Sequence, residues 1–364
     1  MDGTLATKHI IHPNGDVIIH LRNSGAPFAV LKENEKLYVD IKQMAQQSQP
    51  PGNGVQYKPV TVAPPGPGKN AVASEAQEEP STARPEIYFQ VSSAHLTFAS
   101  PYFEKALGGP FKESQPGSDG LRHVDASDWD VEALLIVLRI IHGRNRQVPK
   151  SLSLEMLAKV AVIVDYYKCY EIADAFAEIW FQRIKGSLLI NSLNRDLILL
   201  IHVSLIFRWA DEFKAATKIA LLHSKGPLRT LGLPIPEKIT SAIDALRTKT
   251  LYKIGSMLVG LAVRYSRLPS RSPSCASMNL GALLRQIETN KNINGLANSL
   301  GTRLWLLTGK SVALTTEAAQ NIRTPSWYHR CPAQFCDLNK VVNLEMDKLE
   351  QFDGLSLEHF AQTA

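Results

Sequence analysis

Cysteine is scarce in this chain, which holds only Cys169, Cys275, Cys331 and Cys336 among 364 residues. Four scattered thiols are too few for the disulfide framework that stabilises small secreted domains. The N-terminus lacks the apolar stretch of a signal peptide, and no Asn-x-Ser/Thr glycosylation acceptor occurs. We therefore expect a protein of the nucleus or cytoplasm that is not secreted.

Long hydrophobic runs are also missing. The longest, residues 197–207, includes a histidine and a serine, and it is far shorter than the ~20 apolar residues of a transmembrane helix. The sequence therefore predicts a buried helix there and no membrane association. Hydrophobic residues still make up 45% of the chain, which is enough for a sizeable globular core.

Motifs for nucleotide binding and hydrolysis are absent. Gly309-Lys310-Ser311 resembles the end of a phosphate-binding loop, but Leu304 occupies the position of the first glycine of that loop. Without that glycine the backbone amides cannot close around a phosphate. No Gly-x-Ser-x-Gly nucleophile turn occurs either. We accordingly expect a chain without catalytic residues or cofactors.

The net charge of +6 comes from scattered basic residues rather than from a run of Lys and Arg interleaved with aromatics. This distribution favours a solvated basic surface over nucleic-acid binding. The one local basic cluster, Arg264, Arg267 and Arg271, lies among Ser and Pro. It is interpreted first as a solvated linker; a phosphorylation-sensitive linker or a weak nuclear signal is the alternative.

Strand signals occur at both sides of a region of low complexity. Residues 16–21 are β-branched after the turn Pro-Asn-Gly, and residues 87–91 alternate between apolar and polar positions. Residues 43–84 are rich in Gln, Pro, Gly, Ala and Ser, and we expect them to be disordered. Further short strands are predicted over residues 28–31, 37–41 and 121–124.

Helical periodicity dominates the rest of the chain. Ser100, Asp128 and Ser153 can cap helices because their side-chain oxygens accept hydrogen bonds from first-turn amides. Pro101 suits the first position of a helix. Together these signals predict helices over residues 93–97, 101–107, 129–142, 153–168, 171–184, 195–210, 211–223, 236–265, 278–289 and 355–360.

Three short segments carry a resemblance to a known family. They are Asp16-Val17, then His95-Leu96 with Ala99-Ser100-Pro101-Tyr102-Phe103, then Asp130-Val131-Glu132-Ala133-Leu134. In this order and spacing they resemble a BTB (POZ) domain, a protein–protein interaction module. The resemblance implies an α+β fold: a small mixed sheet flanked by helices and followed by a mostly helical C-terminal region.

The resemblance also suggests a division of the chain. The BTB-like part would cover residues 9–186, with the insertion at 43–84 inside it. A helical extension (187–265), a linker (266–274) and a helical or irregular C-terminal region (275–364) would follow. With the segment GPLRTLGLPIP at 226–236, this layout resembles BTB proteins found in filamentous fungi.

Phe111, Lys112 and Glu113 are the candidate partner-binding residues. In BTB adaptors that bind the cullin scaffold of ubiquitin ligases, a bulky apolar residue, any residue and Glu follow the paired short helices. The apolar side chain would anchor in a pocket of the scaffold, and the carboxylate would fix orientation. The alternative is that Phe111 is a core residue and Glu113 is merely solvated.

Two other polar residues of the resembling segments are expected to be structural. His95 is interpreted as a hydrogen-bonded core histidine near the junction of strand and helix rather than a catalytic base. Asp16 is expected to accept hydrogen bonds from backbone donors in the same region. A catalytic carboxylate would need a partner that the sequence does not show.

A second cluster of possible ligands lies near the C-terminus. His329, Cys331 and Cys336, with Cys275, could supply one nitrogen and three thiolates to a structural zinc ion. The spacing His-x-Cys-x4-Cys is not that of a familiar zinc finger. Buried thiols without metal are the favoured interpretation.

The sequence therefore favours a non-enzymatic interaction module that self-associates, acts as a substrate adaptor for a cullin-type ubiquitin ligase, or does both. The alternative is a dimerising transcription or chromatin regulator with no ligase role, although no DNA-reading signature is found. An unrecognised enzyme in the helical region would need a polar constellation that the sequence does not display.

Overall fold

The computed structural model describes residues 7–33, 35–39, 86–188, 190–267, 273–293, 310–324, 337–349 and 353–360. Its described part is a mixed α+β structure, in which a four-stranded sheet is followed by a long series of helices. The α+β prediction is confirmed at this level.

The sheet contains strands β1 (Thr7–Ile10), β2 (Val17–Arg22), β3 (Ile87–Val91) and β4 (Arg122–Ser127) in the order β1-β3-β2-β4. β2 runs antiparallel to β3 and parallel to β4, and β1 runs parallel to β3, so the sheet is mixed. The apolar residues of β3 are buried, whereas Tyr88 and Gln90 are half-buried. This alternation places one sheet face against the core.

Two short helices follow β3, namely α1 (Ser93–Ala99) and α2 (Pro101–Gly108). Ser100 caps α2 because its Oγ accepts from Phe103 N at 3.2 Å, and Pro101 takes the first helical position, as predicted. The Ser100 hydroxyl also donates to the carbonyl of Tyr167.

The helices behind the sheet begin with α3 (Val131–Ile141), α4 (Leu154–Tyr167) and α5 (Tyr170–Ile184). Next come α6 (Arg195–Ile206), α7 (Ala210–His223) and the long helix α8 (Glu237–Arg267). The last are α9 (Pro273–Thr289), α10 (Val312–Gln320) and α11 (Leu338–Asp347), followed by a 3-10 turn at Leu357–His359.

The core runs without a break from the sheet into the helices. Ile19 and Phe89 of the sheet, Val160 of α4 and Leu258 of α8 belong to one cluster of buried apolar residues. α4 contacts α3, α5 and α6. Whether the boundary at 186/187 separates two domains stays a prediction.

Several sequence-based predictions of local structure were wrong. Residues 28–31 form no strand. In the predicted strand 37–41, Tyr38 makes only an isolated antiparallel bridge with Leu228, a partner far along the chain. Residues 40–41 and the insertion 43–84 that was expected to be disordered lie outside the described residues. β1 was not predicted, and neither were α10 and α11. The predicted linker at 266–274 overlaps the end of α8 and the start of α9.

The cap of α3 was also assigned to the wrong aspartate. Asp128 adopts a left-handed backbone conformation with φ +67°. Asp130 caps the helix instead, because its Oδ1 accepts from Glu132 N at 3.0 Å and from Ala133 N at 3.1 Å.

Across the described part of the chain, no helix combines the length and apolarity that crossing a bilayer requires. Helix α8 has 31 residues and is long enough to cross a bilayer, but several of its side chains are charged.

Candidate protein-binding site

The candidate site is the turn that leaves α2 and enters a 3-10 helix at Lys112–Ser114. Gly109 ends α2, and its N–H donates to the carbonyl of Lys105 at 3.0 Å. A Cβ on Gly109 would lie 2.7 Å from that carbonyl oxygen and 2.9 Å from Cδ2 of Phe111. Only glycine therefore lets the Phe111 ring lie against the end of the helix.

Phe111 is 53% exposed although its backbone is held in place. Its carbonyl accepts from Ser114 N at 3.1 Å and from Ser114 Oγ at 2.7 Å. The interpretation of Phe111 as a core residue is therefore wrong. The turn instead presents a large apolar side chain to solvent from a fixed backbone, which is the form of an anchor residue.

Lys112 ties the turn to the sheet. Its Nζ lies 3.1 Å from Oδ2 of Asp125 on β4, and Arg22 of β2 lies 3.2 Å from Oδ1 of the same carboxylate. Partial burial raises the pKa of Asp125, but the hydrogen bond from Lys112 and the charge of Arg22 outweigh it and leave the pKa below its usual value. The pairs are exposed, so they orient the turn more than they stabilise it.

Glu113 is partly buried and lies close enough to Tyr102 of α2 to influence its titration. Burial and a hydrogen bond with Tyr166 raise the pKa of the Tyr102 hydroxyl, and the negative charge of Glu113 adds to this rise. Glu113 is thus a partly buried acid on the same turn as the exposed Phe111.

Asp16 has the structural role that was expected. Its Oδ1 accepts from Ser93 N at 2.8 Å and its Oδ2 from Ser93 Oγ at 2.6 Å, at the start of α1. Arg122 lies 3.3 Å from Oδ2. Partial burial raises the pKa of Asp16, but these hydrogen bonds and the Arg122 charge outweigh it and lower the pKa overall.

The expectation for His95 was wrong, because its side chain is exposed. His142 is the buried histidine of this region: its Nε2 accepts from Ser92 N at 3.0 Å and its Nδ1 donates to Leu138 O at 2.8 Å. The His95 ring stacks on the His142 ring with centroids 5.0 Å apart.

The proposed zinc ligands are only partly covered by the structure. Cys275 is buried on α9, whereas His329, Cys331 and Cys336 lie outside the described residues. Among the residues that are described, no group of three or more His, Cys, Asp or Glu side chains gathers in a way that could hold a metal ion.

Phe98 of α1 was not predicted as a functional residue, and it is 91% exposed. In α1 only Leu96 is buried, and residues two positions apart on a helix do not share a face. Helical spacing from Leu96 was the signal that could have placed Phe98 on the outer face.

Comparison of the chain with protein-family models, with curated proteins and with solved structures yields no match.

Proposed function

We propose that this chain is a non-enzymatic protein–protein interaction module related to BTB (POZ) domains, and that it works as an adaptor for a cullin-type ubiquitin ligase. The observation that carries the proposal is the exposed Phe111 ring on a turn whose backbone is hydrogen-bonded and whose Lys112 pairs with Asp125. The order of elements supports it: three strands, paired short helices, a fourth strand and then helices.

In this proposal Phe111 enters an apolar pocket of the helical scaffold, and Glu113 orients the contact. Buried aromatic anchors of this kind contribute most of the binding energy of an interface, whereas charged rim residues contribute mainly orientation and association rate. Lys112 keeps the turn against β4 through Asp125. The helical half of the chain would carry the client protein.

Self-association is the second function that a specific observation favours. Phe98 on α1 is 91% exposed and Ile10 on the edge strand β1 is 61% exposed. Large apolar side chains that are so exposed favour contact with another protein surface. If these residues pair two copies and Phe111 binds no scaffold, the alternative is a dimerising transcription or chromatin regulator without a ligase role.

Calorimetry of the full chain with the N-terminal domain of a cullin scaffold tests the adaptor proposal. We expect micromolar or tighter binding, and Phe111→Ala should weaken it by about 30-fold because truncating an anchor typically costs at least 2 kcal/mol. Glu113→Ala should weaken binding less. Leu344→Ala removes a side chain that is equally exposed, at 53%, and should leave the affinity unchanged.

If the folded chain does not bind the scaffold, the adaptor function is ruled out. Light scattering on the same samples tests self-association: Phe98→Glu should convert dimers to monomers, because it places a charge in an apolar interface. A monomeric parent chain would rule out self-association through Phe98.

A further inference from the structure

A cleft of about 220 Å³ lies between three loops and a helix that are far apart in the sequence. Its walls come from the loop 26–29 after β2, the turn 128–130 between β4 and α3, the helix α4 and the loop 231–234 before α8. None of these residues belongs to α1 or to the turn of Phe111, Lys112 and Glu113. The cleft is thus a separate candidate site.

Two charged residues of the lining, Asp130 and Lys159, belong to an ion-pair network that continues outside the cleft to Glu155 and Arg195. Lys159 Nζ lies 3.0 Å from Asp130 Oδ2 and 3.1 Å from Glu155 Oε1. Arg195 lies 3.0 Å from the other oxygen of Glu155. These two acids and two bases neutralise each other, so they leave no net charge for a ligand.

Asp128 supplies the charge that is not balanced. Its carboxylate is exposed at the rim of the cleft, and its hydrogen-bond partner is the neutral amide of Asn23. Among the described residues it forms no ion pair. Trp129, which follows it directly, is half-buried and lines the same cleft. The lining therefore combines a carboxylate with an indole ring.

The two sides of the cleft are held in place before any ligand binds. The Asp128 N–H donates to the carbonyl of Arg22 at 3.1 Å. In the loop 26–29, the carbonyls of Ala29 and Phe28 accept from Arg195 at 2.9 Å and 3.1 Å. A site that is already ordered loses little conformational entropy on binding.

This chemistry fits a cation on an apolar stem. Tryptophan is the best of the aromatic side chains for cation–π contact, and a planar guanidinium can stack on the ring while it pairs with a carboxylate. Within the cleft, the Lys159 ammonium already lies 5.7 Å from the centroid of the Phe28 ring. Val162 and Leu233 supply apolar wall for the stem.

We propose that this cleft binds an arginine side chain presented by a segment of a partner protein, with the guanidinium between Asp128 and Trp129. The proposal is independent of scaffold binding through Phe111, because the two sites share no residue.

The test uses the full chain labelled with fluorotryptophan and ¹⁹F NMR. The chain has five tryptophans, and Trp129→Phe assigns the resonance of interest. The probe is the blocked peptide acetyl-Gly-Arg-Gly-amide. The matched peptide with citrulline keeps the shape and removes the charge. We expect the Trp129 resonance to shift with the arginine peptide at about millimolar concentration, and the citrulline peptide to bind at least about fivefold more weakly.

Asp128→Asn is the matched variant, because asparagine has the same size and also tolerates the left-handed backbone. It should lower the affinity for the arginine peptide at least about fivefold. Asp211→Asn, which removes an exposed carboxylate from α7, should leave that affinity unchanged. The other four resonances report whether each variant is folded. Binding by the parent chain should also weaken from about 0.05 M to about 0.5 M salt.

The proposal is overturned if the Trp129 resonance does not respond, if citrulline binds as well as arginine, or if salt has no effect. Unchanged affinity in a folded Asp128→Asn variant would also overturn it. A lysine peptide that binds more tightly than the arginine peptide would contradict the assignment to a guanidinium.

Discussion

At the scale of single residues, buried histidines link the stability of the fold to pH. His202 on α6 is fully buried, and neither ring nitrogen has a hydrogen-bond partner in the described part of the chain. Burial lowers its pKa to about 4, and burial likewise lowers the pKa of His142 to about 4. An unfolded histidine titrates near pH 6.5. Between about pH 4 and pH 6.5 the unfolded state therefore binds more protons than the folded state. The free energy of unfolding falls as the pH is lowered through this range.

Replacing His202 should weaken this pH dependence. Urea unfolding at pH 7 and pH 5 should show that His202→Phe loses about 2 kcal/mol less stability on acidification than the parent chain, since each unit of pKa difference corresponds to about 1.4 kcal/mol. His359→Phe changes an exposed histidine and should behave like the parent. An identical loss in the parent and in His202→Phe would show that His202 does not titrate on unfolding.

At the scale of elements, two adjacent glycines at the end of α2 have different roles. A Cβ on Gly109 would meet Lys105 O at 2.7 Å and the Phe111 ring at 2.9 Å, whereas a Cβ on Gly108 would meet nothing within 4 Å. The sequence shows a Gly-Gly pair, but only the structure shows which glycine sets the course of the turn.

Gly109→Ala should therefore destabilise the chain by about 1–3 kcal/mol, the usual cost of overpacking. It should also weaken scaffold binding, because it moves Phe111. Gly108→Ala is the matched control and should be neutral or slightly stabilising, since alanine favours helix. Thermal unfolding and the same calorimetry measure both effects. Equal behaviour of the two variants would contradict the role assigned to Gly109.

At the scale of the whole molecule, the core joins the sheet to the helical half. Leu258 of α8 is fully buried and belongs to the same apolar cluster as Ile19 of β2 and Phe89 of β3. Helix α4 contacts helices of both halves. A continuous core of this kind predicts that the sheet and the helical half unfold together.

Leu258→Ala tests this coupling. It should cost about 2–5 kcal/mol, because a large buried side chain leaves a cavity. Hydrogen exchange followed by mass spectrometry should then show faster exchange in peptides from β2 and β3, although the mutation lies in α8. Leu344→Ala, at an exposed position, should change neither the free energy of unfolding nor the hydrogen exchange of β2 and β3. Unchanged exchange in the sheet would show that the two halves unfold separately.

The sequence by itself determined the features that depend on near neighbours. Ser100 with Pro101 and Ser153 marked helix starts correctly, because a cap acts within one turn of its own helix. Strands β2 and β3 and the helices α3 to α8 followed from periodicity. Hydrogen bonding of Asp16 to a nearby backbone donor was also expected, and the donor is Ser93 N.

Only the tertiary structure decided the features that depend on distant partners. β1 exists as a strand because it pairs with β3, and Tyr38 bridges Leu228 rather than joining the sheet. His142 rather than His95 is buried, Phe98 faces solvent, and the cleft beside Trp129 needs four segments to meet. Strand pairing, burial and clefts arise from contacts between residues far apart in the chain, and local propensity carries little information about them.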